Sequence, residues 1–302
     1  MTKIKMFSLS LVAFAIISCG GDTTETNTKT VGKNSNVAPG LESNTSSESS
    51  SAKDNIFRLN FSDPPTFDPA LVTDTTSASI IVEIFSGLVT LNKELDIIPD
   101  LAESWDISDD GRIYTFNLRD DIKFSNGDKV TASDFKWSIE RAANPDTGSM
   151  NAEVYLGDIV GVTEVIEAGG SLTEVSGLKV IDDKTLEITI DEPKTYFLAK
   201  LTYPTAFVLS EKYVTQQGED WIDQPVGTGP FVMTEYQIGQ TLKLKPNDNY
   251  WGEKAKVDGI IMNLAGGVSM AMYENDEVDI TGVGLADLER VKNPNDPLNK
   301  DL

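Results

Sequence analysis

Between Gly20 and Lys53 the chain has almost nothing to fold with. Its apolar side chains there are Val31, Val37, Ala38, Leu41 and Ala52, scattered among Thr, Ser, Asn, Glu and Gly. Such a stretch cannot bury enough apolar surface to offset the entropy of ordering it. It splits the 302-residue chain into a short amino-terminal segment, a flexible tether and a folded body that begins near Asp54. A free tether of this length spans roughly 30–35 Å root-mean-square.

The segment before the tether reads as an export signal. Lys3 and Lys5 precede an uncharged, mostly apolar run from Met6 to Ile17. A mature membrane-spanning helix needs about 20 such residues, so this run fits the core of a signal peptide over residues 1–18. It ends Ile16-Ile17-Ser18-Cys19-Gly20, which resembles a bacterial lipobox. The resemblance implies cleavage before Cys19 and lipidation of its sulfur, leaving residues 19–53 as a lipidated anchor and tether. That also gives the single cysteine of the chain a role.

Charge and composition remove whole classes of function. Lys and Arg number 25 against 48 Asp and Glu, a net charge of −23, and a surface of that sign repels nucleic-acid phosphates. With no histidine, a Ser-His-Asp triad, a Cys-His dyad and any His-ligated metal site are excluded. One cysteine excludes a disulfide framework and a thiolate zinc cluster. No convergent acid–base pair of carboxylates stands out, so the expectation is a protein without enzymatic activity, metal or cofactor.

The body mixes strand and helix signals. Phe57, Leu59 and Phe61 alternate with Arg58 and Asn60, which predicts a half-buried strand. Thr66-Phe67-Asp68-Pro69 predicts a turn, because proline fixes its own φ and restrains the residue before it. Ile80, Ile81, Ile84 and Phe85 mark one side of a helix over 77–86, with a short strand over 88–91. Residues 105–130 read as an antiparallel meander, in which Ser125-Asn126-Gly127-Asp128 is the strongest hairpin signal. Thr131 and Asp134 have capping-box spacing, and Phe135, Ile139 and Ala142 carry a helix to Ala143, stopped by Asn144-Pro145. Strand pairs follow over 177–190 and 231–245, helices over 196–201 and 210–216, and a strand over 256–263. This mixture predicts an α/β or α+β architecture with inserted antiparallel pairs. The last residues, from Asn293, are polar and broken by proline, which predicts no packed finish.

Six segments, in order, resemble the family 5 extracellular solute-binding proteins of ABC transporters, the oligopeptide and dipeptide binders. They are Phe67-Asp68-Pro69; Ile84-Phe85-Ser86-Gly87-Leu88; Pro99-Asp100-Leu101-Ala102-Glu103-Ser104-Trp105; the run from Asp110-Gly111 through Phe124-Ser125-Asn126-Gly127 to Asp134-Phe135; Gly227-Thr228-Gly229-Pro230-Phe231 with Asn249-Tyr250-Trp251-Gly252; and Glu277-Val278-Asp279. Together they cover about residues 55–290. The resemblance implies a type II periplasmic-binding-protein lobe, made of 54–87 and 206–280, with an antiparallel β/α subdomain, 88–205, inserted into it. Residues 281–302 then correspond to the start of a second lobe that is largely absent, and a half-cleft is expected to bind ligand poorly alone.

The same resemblance implies cleft positions. Thr73, Asp74 and Thr75 match an extended stretch that pairs with the peptide backbone, Met150 matches a contact from the inserted subdomain, and Thr281, Gly282 and Val283 match hinge-side lining. Small residues at 282 and 283 imply a roomier pocket there. The aromatic residues Trp105, Tyr114, Trp137, Tyr250 and Trp251 are expected to pack rather than bind, and Glu103, Asp110 and Asp134 to serve turns and caps. The function implied is capture of a peptide outside the cytoplasm by a monomeric, lipid-anchored protein in the periplasm or on the outer cell surface. It would deliver the peptide to an ABC permease in the membrane. Alternatives are an oligosaccharide or nickel-chelate ligand, or a surface lipoprotein acting as adhesin or sensor.

Overall fold

The alternation at the start of the body makes a strand, β1 (Ile56–Asn60), and β1 finds its partner two hundred residues later. With elements numbered along the chain, it pairs in parallel with β10 (Gly259–Asn263), Leu59 opposite Met262. Strand β10 runs antiparallel to β9 (Thr241–Pro246), and β9 to β8 (Phe231–Gln237), giving the order β1-β10-β9-β8. Helix α1 (Thr75–Ile84) turns Ile80, Ile81 and Ile84 inward, and these join Phe231, Leu242 and Ile260 in one apolar core. The computed structural model describes residues 55–302, and these form one unit. The expected signal peptide, Cys19 and the tether lie outside the described residues. Among those described, no helix is long and apolar enough to cross a membrane.

The middle of the chain builds a second sheet. Strands β4 (Ala102–Ile107), β5 (Ile113–Leu118), β7 (Thr185–Thr189) and β6 (Leu178–Asp182) lie antiparallel in the order β4-β5-β7-β6. Tyr114, Phe116 and Leu118 point into a second core, as the period-two pattern requires. Helix α2 (Ala132–Ala143) covers it with Phe135, Ile139 and Ala142. The Thr131 amide and hydroxyl donate to Asp134 Oδ2 at 2.9 and 2.7 Å, so the expected reach-back of the capping box is present. A small hairpin of β2 (Val89–Leu91) and β3 (Ile97–Pro99) leads from α1 toward this second sheet.

The hairpin expectation is corrected, and two other features bear on the sequence reading. Gly127 has a positive φ, as its turn needs, but the flanking chain makes only a single bridge, Lys123 to Lys129. The stretch is too short to pair further, because Thr131 already caps α2. Residues 152–167 contain two helices that no periodicity announced, α3 (Ala152–Leu156) and α4 (Val162–Glu167). Each is under two turns, too short for the pattern to repeat. Finally, at the carboxyl end residues 293–302 bury no side chain, as expected, and the last buried residue precedes them. Beyond α5 (Phe197–Lys200), α6 (Glu211–Gln217) and α7 (Ser269–Glu274), helix α8 (Leu285–Lys292) buries Val291. Its Arg290 pairs with Glu274 at 2.5 Å, and Asn299 Nδ2 donates to the Val291 carbonyl at 3.0 Å.

The two cores meet at the end of α1. Gly229 N donates to the Ile84 carbonyl at 2.8 Å, Ser86 N to Thr228 Oγ1 at 3.0 Å, and Ser125 N to the Gly227 carbonyl at 2.8 Å. The backbones approach so closely that a Cβ on Gly227 would collide with the Ile84 carbonyl oxygen, and one on Gly229 would lie 2.6 Å from that of Glu83. We therefore expect Gly227→Ala to destabilise the protein by about 2 kcal/mol or more, the range of a buried steric clash. Gly282→Ala, at a position with open space around it, should stay within about 0.5 kcal/mol. Denaturant unfolding of the two variants checks this.

Candidate ligand-binding site

The Phe67-Asp68-Pro69 turn sends the chain out of the first core and along the carboxyl end of α2. Its alternate residues are then pinned one by one. Arg141 Nη1 and Nη2 donate to the two oxygens of Asp68 at 3.1 and 2.6 Å. Ser149 Oγ donates to the Ala70 carbonyl at 2.5 Å, and Asn151 Nδ2 to the Val72 carbonyl at 2.7 Å. Thr147 Oγ1 donates back to the Arg141 carbonyl at 2.6 Å, which fixes the loop that carries Ser149 and Asn151. The ring of Tyr203 lies flat on Tyr155, with centroids 3.7 Å apart and planes 3° apart, and its hydroxyl reaches the Val72 carbonyl at 3.4 Å. Leu71 and Thr73 are exposed, and Met150 is 75% exposed.

This arrangement brings the segment at Thr73 and the loop at Met150 to one rim, since Val72 and Asn151, their chain neighbours, are hydrogen-bonded. Asp74 is extended but its carboxylate is spent: Oδ1 accepts the Ser77 amide at 2.8 Å as the cap of α1. Thr75 is the first residue of the helix, so the extended stretch ends one residue sooner than the resemblance implied. Thr281, Gly282 and Val283 are not joined to this rim by any described hydrogen bond. They follow Asp279, which is clamped on the outer edge of β1: the Arg58 amide donates to Asp279 Oδ2 at 2.7 Å, and the Asp279 amide to the Arg58 carbonyl at 2.9 Å. Arg58 Nη2 and Nε complete a forked pair with the same carboxylate, at 2.7 and 3.1 Å, holding it below the usual range.

Sequence reasoning missed Arg141, Ser149, Asn151, Tyr155 and Tyr203. The one signal for them was the motif Phe67-Asp68-Pro69, whose buried Asp68 needs a cation. The aromatic residues behave as packing groups. Trp105 lies beside Phe116, and Tyr114 against Phe197 with centroids 4.8 Å apart. Asp110 accepts the Ser108 hydroxyl at 2.6 Å, as a turn residue should.

A second polar cluster lies at the seam of the two cores. Burial pushes the Asp100 carboxyl up to about 6, against the opposing pull of the Trp251 indole N–H, which donates at 3.2 Å, and of Arg119. The Arg119 guanidinium stacks on the Trp251 ring, 3.7 Å from its centroid, and Nε donates to the Asp100 carbonyl at 2.6 Å. Glu83, also desolvated, is pushed up to about 7, and burial, with the Asp100 and Glu83 carboxylates adding to it, pushes Tyr250 up to about 12. Among the described residues no group of His, Cys, Asp and Glu is placed to hold a metal ion.

Comparison with known proteins places this geometry. The model of the bacterial extracellular solute-binding proteins, family 5, matches residues 96–300. The chain belongs to that family. Family 5 relatives include the probable deoxycholate-binding periplasmic protein YgiS of Escherichia coli, 32% identical over 77% of this chain and 44% of that protein. The periplasmic oligopeptide-binding protein OppA of the same organism is 31% identical over 76% of this chain and 43% of its own length. Among solved structures, Listeria monocytogenes OppA bound to peptide superposes with a TM-score of 0.75 at 30% identity, covering 81% of this chain and 50% of that one. The α/β architecture of a family 5 substrate-binding domain is thus present, and the chain spans about half the length of the relatives it matches.

The Asp100 carboxyl binds its proton more tightly folded than unfolded, so its contribution to stability is present at low pH and lost as pH rises from about 4 to above 6. We expect Asp100→Asn, which keeps an acceptor for Trp251, to raise the thermal midpoint at pH 8 and to leave it nearly unchanged at pH 4. Equal effects at both values would contradict this.

Proposed function

We propose that this protein captures short peptides outside the cytoplasm for an ABC importer, presenting the rim at Thr73 and Met150 to one side of the ligand. The observation that carries the reading is the match to a peptide-bound family 5 structure over four-fifths of the chain. The pinned segment 68–72 fits it physically. That segment is a turn, closed by the Leu71 amide donating to the Asp68 carbonyl at 3.0 Å, and it presents Thr73 and the extended Asp74 at its exit, where main chain can pair with a peptide and give affinity without reading sequence. Thr281, Gly282 and Val283 would line the hinge side of such a cleft. Residues 54–87 with 206–280 are read as the first lobe, 88–205 as a subdomain inserted into it, and 281–302 as the start of the second lobe that faces it.

The remaining assignments belong to the same reading: a signal peptide over 1–18, lipidation at Cys19, a tether, a monomer without enzymatic activity, and a permease in the membrane as partner. Dicarboxylate chemistry at the seam gives no reason to assign catalysis, because Asp100 is already hydrogen-bonded and Arg119 engaged. Family membership leaves room for other ligands, since one relative is named for a bile salt.

Purification of the protein from its own cells, acid release and mass spectrometry test the ligand class. Mixed short peptides are expected; recovery of a bile salt or oligosaccharide instead would overturn the peptide reading. In the same cells Cys19→Ser should move the protein from the membrane fraction to the soluble one, and an unchanged membrane fraction would sink the lipid anchor.

A further inference from the structure

A cavity of about 660 Å³ opens between α2, the 173–174 loop and the stretch 214–221 that takes in the end of α6. None of Thr73, Met150, Thr281, Gly282 or Val283 lines it, so it is a different place from the rim. Its size falls within the range of small-ligand sites, about 300–1,000 Å³. It lies where the two cores adjoin: Phe135 and Ile139 of α2 belong to one, and Trp221 to the other. Such junctions are favoured positions for ligands.

What the cavity can take follows from which of its groups are already spent. Lys136 Nζ pairs with Glu140 and with Glu174, both at 3.2 Å. Arg141 gives both terminal nitrogens to Asp68. No uncommitted cation of the lining is left for an anionic ligand. A cationic ligand would find the Glu219 carboxylate, but Glu219 is exposed, and an ion pair in water is worth little. A purely apolar ligand would strand the remaining polar groups, which are neutral. The hydroxyls of Thr173 and Thr215 have no partner among the described residues. Asn144 Oδ1 accepts the Asp146 amide at 3.0 Å, while its amide nitrogen donates to nothing among them. The indole N–H groups of Trp137 and Trp221 are likewise without an acceptor there, although Trp221 is only 4% exposed. Trp137 is half-buried and no other ring stacks on it.

Neutral donors and hydroxyls set around an indole fit a molecule with one apolar face and a margin of hydroxyl groups. A sugar ring has that form. Its C–H bonds lie against an aromatic face, and each hydroxyl both donates and accepts. The Lys136 pairs hold Glu140 and Glu174 in place beforehand, so less side-chain freedom is lost when a ligand arrives. We propose that this cavity binds a saccharide of one or two rings, at a site separate from the rim and independent of what the rim takes.

Proton–nitrogen NMR of the indole N–H groups in the 302-residue protein tests this, with maltose, cellobiose and N,N′-diacetylchitobiose as probes. The protein has four tryptophans, and Trp105 and Trp251, outside the cavity, serve as internal controls. The Trp137 and Trp221 signals should shift saturably with at least one probe, at a dissociation constant of about 1 mM or below, while the other two stay in place. Thr215→Lys puts bulk at an exposed position of the wall, and should weaken that binding about tenfold or more without moving the thermal midpoint. The proposal is overturned by the absence of a saturable shift with all three sugars up to about 20 mM. Equal movement of all four signals, or undiminished binding in the folded Thr215→Lys variant, overturns it too. Tetra-alanine moving the Trp137 and Trp221 signals in place of the sugars would make the cavity a peptide site and would also overturn it.

Discussion

The Asp68–Arg141 pair is the interaction on which the rest of the body depends. Phe67, one residue before it, lies in the core of the β1-β10-β9-β8 sheet, and Ala70, two residues after, lies in the core under α2. The pair sits where the chain crosses from one to the other. Both side chains are largely withdrawn from water, so each charge is tolerable only because the other is there, in a forked geometry that satisfies both carboxylate oxygens. Arg141 also lies 5.5 Å from the centre of the Trp221 ring, which occupies part of its remaining surface. Once Arg141 is fixed, its carbonyl holds Thr147, and the loop beyond delivers Ser149 and Asn151 to the backbone of Ala70 and Val72. One ion pair thus propagates into a ladder of contacts that shapes the rim.

The seam at the end of α1 does a complementary job. There the two cores approach at backbone distance, at Gly227 and Gly229, where no Cβ fits. The polar groups of that region, Asp100, Arg119 and Trp251, are arranged to satisfy one another across the join. Glu83, half-buried on the last turn of α1, is left out of that exchange.

How much of this was legible in the sequence differs by kind of feature. Long periodic elements were: the alternation at 114, 116 and 118 and the 135–139–142 stripe fix β5 and α2 because burial on one face writes its period into the residues. The cap at Thr131 was legible because Asp134 stands at the one spacing that can reach back. The pairing of β1 with β10 was not, since nothing local in Phe57–Phe61 names a parallel partner two hundred residues away. Helices α3 and α4 were too short to show a period. At the site, Thr73 and Met150 came from family resemblance, and the structure brings their segments together. The residues that do the holding, Arg141, Ser149, Asn151 and Tyr203, were invisible. Each acts through a backbone atom or a single distant charge, and neither leaves a spacing pattern.

The central claim is that a buried ion pair fixes the crossing between the two cores and holds the rim at Thr73 and Met150 in place. Residue-resolved amide hydrogen exchange in an Arg141→Met variant, compared with the parent, tests it most directly. The account predicts that protection falls together at Ala70 and Leu71, whose amides donate to Asp68, and at Tyr155, whose amide donates to the Asn151 carbonyl, while β5 and β7 keep theirs. Unchanged exchange at 70, 71 and 155 in a folded variant would contradict it.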